Sequence, residues 1–291
     1  MISLNIKRLI SVALVALNFA ALTACDNKTV IVFAPFDPAF FPIAVPGTIG
    51  GFGSAAFDSN DDLIVVGGSS IDVTTVARSD GSVTTLTLIG TAGILLSIVD
   101  PGTGVFYIGN DLGDIYSVDS TTGVATLVVN IRGSVNGLVV APAGYGTFGA
   151  QLIAATEGGG VVAVDPTGPT VTPIAAGNYS DLEFALNGTL YTVSHGTGDV
   201  TTVSAAGVVA TVATLASPDG IAVESSGERL YVADSLSDEL FSVTIPGGVV
   251  ASLGNYDYNS GFFPSGLAFD RGTLIMLTDA VGTMNIEAIT P

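Results

Sequence analysis

Few side chains in this 291-residue chain are equipped to make or break bonds, and their spacing limits what each could do. The only histidine, His195, follows Ser194 and precedes Gly196, so a Ser-His-Asp relay would have to be built on it. Nothing nearby marks a strained nucleophile, and adjacency alone does not make a serine face an imidazole. His195 therefore reads as a polar turn residue, at the place that Asn110 and Asp234 hold elsewhere. Asp58, Asn60 and Asp62 have the alternating oxygen spacing that opens a calcium loop, but Leu63 and Ser69 stand where its glycine and bidentate glutamate belong. That segment reads as a hairpin turn. Asp72, Asp114, Asp199 and Asp238 each precede a similar run and could line one face of the fold. The simpler reading is that each accepts backbone N–H bonds in its own turn. Lysine chemistry has no place in the body of the chain, because Lys28 lies in a proline-broken segment near the N-terminus.

The elements that must position these residues repeat along the chain. Hydrophobic runs begin at Leu63, Val105, Leu152, Leu190, Leu230 and Leu274, spaced about 38 to 47 residues apart. Before each lies a run containing small residues, starting at Ser54, Leu96, Gly137, Asp181, Gly220 and Gly266. After most of them comes an alternating strand, such as the one from Asp72 to Val76 or from Asp199 to Val203, whose every second residue is apolar. Turn glycines follow at Gly81, Gly123, Gly168, Gly207 and Gly248, where a hairpin needs positive φ. A period near 40 to 45 residues with four strands per unit is the signature of a propeller blade, and small side chains suit strands crowded around a central channel. The expected fold is all-β, a six-bladed β-propeller over residues 42–291.

The sixth unit has a third strand from Met284 to Ile289 and no fourth. An uncovered apolar edge invites association, so a segment from the N-terminal side is expected to complete the last blade and close the ring. Ile43 to Val45 is the expected donor, with Val30 to Phe33 as the rival.

The N-terminus has a different character. Lys7 and Arg8 precede an apolar run from Leu9 to Ala24, and Leu22-Thr23-Ala24-Cys25 follows. This resembles a bacterial lipoprotein signal, which implies removal of residues 1–24 and lipidation of Cys25, the only cysteine. The apolar run, about 16 residues, falls short of the ~20 needed to span a bilayer. Residues 25–41, rich in phenylalanine and proline, are expected to form a lipidated tether that partly packs on the propeller. The lipid would hold the chain to a membrane of the bacterial cell envelope, facing the periplasm or the exterior. With Asp26 next to the cysteine, it also resembles lipoproteins retained at the inner membrane of some Gram-negative bacteria.

The formal charge is −19, and removing Lys7 and Arg8 makes it more negative still. With so few cations to offset phosphate repulsion, nucleic acid is excluded as a partner. Without cysteines past Cys25, the body must be held by its core and its sheet hydrogen bonds.

Pro218 to Asp234, echoed from Pro264 to Asp270, resembles a blade of the NHL and gluconolactonase-like six-bladed propellers. In gluconolactonase-like enzymes a divalent cation at the channel mouth is held by a first-blade glutamate, an asparagine in Asn-Gly-Leu and an aspartate in Pro-Asp-Gly. The resemblance implies Asn136 and Asp219 as ligands for Ca²⁺ or another divalent cation, with Asp181, offset by one position, as a further carboxylate, while the simpler reading is that Asn136 and Asp219 cap the turns into their strands. The first-blade glutamate is missing, since that stretch reads Gly51-Phe52-Gly53-Ser54. As affinity at oxygen sites follows ligand number and charge, the incomplete set favours a lipid-anchored, non-catalytic module that binds a protein or small molecule. The alternative is a metal-dependent lactonase or related hydrolase of the gluconolactonase-like type.

Overall fold

A computed structural model describes residues 37–45, 53–67, 71–255, 266–279, 284–289 and 291. The signal at residues 1–24, Cys25, the rival closing segment from Val30 to Phe33, and Gly51-Phe52 lie outside the described residues. Among the described residues, no helix is long and apolar enough to cross a membrane.

Six antiparallel four-stranded sheets form six blades, giving a six-bladed β-propeller with almost no helix. The inner strands are Gly53–Phe57, Leu95–Val99, Val135–Val140, Asp181–Phe184, Pro218–Val223 and Leu267–Asp270, for blades 1 to 6. Each packs beside the inner strand of the next blade, and the last returns to the first. An even number of alternating strands returns the chain to its starting end, so every inner strand begins at the same mouth of the channel. The loops joining second to third strands also surround that mouth, here called the upper one.

The expected closure is observed. Ile43–Val45 pairs antiparallel with the third strand of blade 6, Met284–Ile289, Ile43 lying opposite Ile286. Phe40 and Phe41 pack on the apolar cluster that Ile43 joins. Gly81 (φ +69°) leaves room for the Phe40 ring, which would lie 2.6 Å from a Cβ at that position. Gly168, also read as a positive-φ turn residue, does not adopt that conformation, and its turn is held instead by Asp165 Oδ1 accepting the Thr167 N–H at 2.8 Å.

Apolar residues alternating along each strand form one buried cluster at each of the six blade interfaces. The interface between the first and last blades carries an ionic clasp as well. Arg78 Nη1 donates to Asp270 Oδ2 at 2.7 Å and Nε to the Asp61 carbonyl at 2.7 Å, while Arg271 bonds both Asp61 and Asp270. Asp61 belongs to the segment with calcium-loop spacing, which is a hairpin turn as expected: Asp58 Oδ1 accepts the N–H groups of Asn60 and Asp62.

Candidate functional site

Three inner strands carry one extra residue at the upper mouth. Pairing shifts between Leu95 and Ser97, Val135 and Gly137, and Pro218 and Gly220, so Leu96, Asn136 and Asp219 are the bulged residues of blades 2, 3 and 5. A bulge leaves its extra residue outside the ladder and re-aims its side chain. Blade 4 pairs Asp181 with Val193 without a shift, which puts Asp181 in register with Gly137 and Gly220. Asn136, Asp181 and Asp219 thus stand at the same end of three consecutive inner strands. Neither bulged side chain caps its own turn: Asn136 Nδ2 reaches the Tyr179 carbonyl of the next blade at 3.4 Å, and Asp219 reaches the loop carrying His195.

His195 corresponds to Asp111, Glu157 and Ser235, one residue beyond the position expected for it. Asn110 and Asp234 end their second strands and are fully buried, whereas the imidazole is 52 % exposed at the mouth. Its serine partner is not the adjacent Ser194. Nδ1 lies 2.7 Å from Ser217 Oγ and 3.2 Å from Asp219 Oδ1, both on blade 5. Ser217 Oγ also accepts the Ser235 hydroxyl at 3.1 Å. Because a carboxylate only accepts, this network favours the tautomer with hydrogen on Nδ1. In a nucleophilic relay, serine and aspartate engage opposite ring nitrogens. Here both crowd the same nitrogen, and Ser217 is buried, so the cluster orients an imidazole rather than arming a serine. Burial pushes the Asp219 carboxyl above its ordinary range, against the lowering effects of the Ser235 hydroxyl and His195.

Below the mouth, the channel encloses a cavity of about 220 Å³ lined by all six inner strands. Its lining mixes aliphatic side chains with polar surface, and its ionisable lining residues are Asp181 and Glu183, two apart on one strand. Asp181 accepts the N–H groups of Leu182 at 2.8 Å and Ile221 at 3.1 Å, while Glu183 Oε2 accepts that of Val223 at 2.9 Å. These carboxyls therefore satisfy the inner edge of blade 5. Burial pushes each up to about 8, with the neighbouring Asp219 raising Asp181 and Asp181 raising Glu183. The backbone N–H bonds oppose the shift without cancelling it. Glu183 was not among the expected site residues.

Three of the four recurring aspartates accept side-chain bonds within their blades, and the fourth, Asp238, adopts a left-handed backbone conformation in its turn (φ +55°). Asp72 accepts the Thr87 hydroxyl, Asp114 the Asn130 amide and Asp199 the Thr214 hydroxyl, all from the outer strand.

As a divalent-cation site the mouth fits only in part. Ca²⁺ takes six to eight oxygens. Both Asp181 oxygens already accept backbone N–H groups and Asp219 Oδ1 faces His195, leaving the Asn136 oxygen and Asp219 Oδ2 to start a shell. Among the described residues, no three His, Cys, Asp or Glu side chains converge as metal ligands.

No protein-family model matches this chain, and no curated protein matches it. Solved structures do. A Bacteroides thetaiotaomicron protein of unknown function aligns with TM-score 0.63 at 14 % identity, covering 88 % of this chain and 73 % of that one. The PQQ-bound aldose sugar dehydrogenase of Streptomyces coelicolor aligns with TM-score 0.61 at 15 % identity, over 85 % and 98 % of the two chains. A streptogramin B lyase aligns with TM-score 0.63 at 9 % identity, over 86 % and 96 %. At such identities the likeness establishes the six-bladed propeller fold and nothing finer.

Proposed function

We propose that this protein is a lipid-anchored propeller of the bacterial cell envelope that binds a small molecule at its upper channel mouth, over blades 3 to 5, without catalysing its conversion. The observation that carries this reading is the placement of Asn136, Asp181 and Asp219 at the same end of three consecutive inner strands, beside an oriented His195 and above a cavity of mixed polar and apolar lining. A concave apolar site with a few placed polar groups is the usual form of a ligand pocket. The non-catalytic part rests on the chemistry of the groups: the serine is buried and the imidazole shares one nitrogen with two partners.

A second reading, a divalent-metal-dependent lactonase or related hydrolase, is favoured by one observation. Asp219 Oδ2 is buried without a hydrogen-bond partner, as an oxygen of an incomplete ligand shell would be. The donor set described above is too small to route a reaction step through such an ion.

The sole histidine makes the binding reading testable without assignment ambiguity. A ligand entering the mouth shifts the His195 imidazole resonances, and Asp219→Ala abolishes the saturable shift. A small-molecule library that leaves these resonances unmoved, while binding is registered elsewhere on the chain, overturns the reading. Incorporation of labelled fatty acid, lost in Cys25→Ala, tests the anchor separately.

A further inference from the structure

We propose that the seam between blades 1 and 6 is a gate latched by Arg78, and that its parting opens the side of the channel cavity. The inference does not depend on what the upper mouth binds. Among the described residues, the ring is fastened at one place by strands from distant parts of the sequence, where Ile43–Val45 meets Met284–Ile289 over three residue pairs. The outer strands of the other blades have five or six residues. Ladders run within blades and not between them, so separating blade 1 from blade 6 breaks this short ladder, one apolar cluster and the ionic clasp.

The clasp joins the lower turns of both blades. Arg78, in blade 1, is buried: its guanidinium pairs with Asp270 of blade 6, and its own N–H donates to Asp62 Oδ1 at 2.7 Å. Arg271 binds Asp61 and Asp270 across the same seam. Asp61 (φ +66°) and Arg271 (φ +46°) sit in the left-handed region, uncommon for residues other than glycine, so the ion pairs hold two turns in an unfavoured shape. A buried ion pair suits a latch, because the hydration its charges regain on opening offsets much of the attraction they lose. The cavity lies against this seam. Half of its lining residues belong to the inner strands of blades 1 and 6, where Ala55, Ala56, Gly266 and Ala268 leave room, while the larger Leu138 and Ile221 line other blades. Phe57 ends the inner strand of blade 1 at the lower mouth and lines the cavity, and the Arg78 guanidinium stands 5.5 Å from its ring centre. The latch therefore braces the cavity wall itself.

Native-state hydrogen exchange on the full chain in non-ionic detergent tests this, read at the closing ladder and, for comparison, at Leu152–Thr156 and Gly160–Asp165 in blade 3. In the unaltered chain the ladder amides are expected to exchange through a partial opening, with a weaker dependence on denaturant than the blade 3 amides. Arg78→Met is expected to speed ladder exchange at least roughly tenfold, about 1.4 kcal/mol, and to leave blade 3 unchanged. Equal acceleration in both places would make the clasp a contributor to global stability, and no acceleration would mean that the short strand frays by itself; either result refutes the latch. Equal denaturant slopes in the unaltered chain refute it as well, even if the variant fails to fold. Ala55→Cys puts a thiol in the cavity wall, and its modification by a water-soluble reagent, located by peptide mass, is expected to quicken by the same factor when Arg78→Met is added. A rate unmoved by Arg78 would show that the cavity does not open at this seam.

Discussion

Asp181 and Glu183 ionise near pH 8 in the folded chain because burial penalises their charge, and near pH 4 once unfolded. Between these values the folded state holds more protons than the unfolded one, so stability falls as pH rises. The contribution is fully present below pH ~4, is lost progressively up to pH ~8, and changes no further above that. Each group accounts for at most about 1.4 kcal/mol per pH unit in this window, less where channel water reaches it. Thermal melts should therefore show a midpoint that declines from pH 5 to pH 8, and the decline should flatten in Asp181→Asn and Glu183→Gln. A midpoint that rises through that range would show that the channel carboxyls are solvated. Glu183 was legible in principle, since a strand reading Asp181-Leu182-Glu183-Phe184 puts both acids on one face. What the sequence does not reveal is that this face borders an enclosed channel rather than solvent. His195 was harder still, because Ser217 and Asp219 come from the next blade and only the packing of two blades brings them to it.

At the scale of strands, the repeat pattern announced the inner, second and third strands closely, because apolar alternation and turn residues are local properties. The bulges at Leu96, Asn136 and Asp219 were not legible: one extra residue in a strand leaves hydrophobic patterning intact while re-aiming a side chain. Nor was the lag of one position that separates His195 from Asn110 and Asp234. The closing strand, by contrast, followed from the missing fourth strand of blade 6. Ile43 is buried against both end blades, so Ile43→Ala should cost about 2–5 kcal/mol in chemical denaturation. It should also promote self-association by exposing the edge from Met284 to Ile289. A change below ~0.5 kcal/mol, with the chain still monomeric, would mean that the strand lies on the ring without fastening it.

The whole molecule joins two features that pull in different directions. A ring of six blades sharing apolar interfaces is a rigid frame, and the Arg78–Asp270 pair, distant in sequence, clasps its ends from the lower side. The same ring gathers carboxyls at its upper mouth and places Glu183 below Asp181 in its channel, where burial pushes both toward the protonated form. Fold alone leaves function open, since propellers of this architecture include a sugar dehydrogenase and a lyase. The site must decide, and the decisive issue is whether the mouth serves a ligand or a catalytic metal. Calorimetric titration of the chain with Ca²⁺, Mn²⁺ and Zn²⁺ separates these most directly. The binding reading predicts no saturable uptake below about 1 mM, the weak end of oxygen-ligand calcium sites. Tight one-to-one binding that disappears in Asp219→Ala would contradict it and return the mouth to metal-assisted hydrolysis.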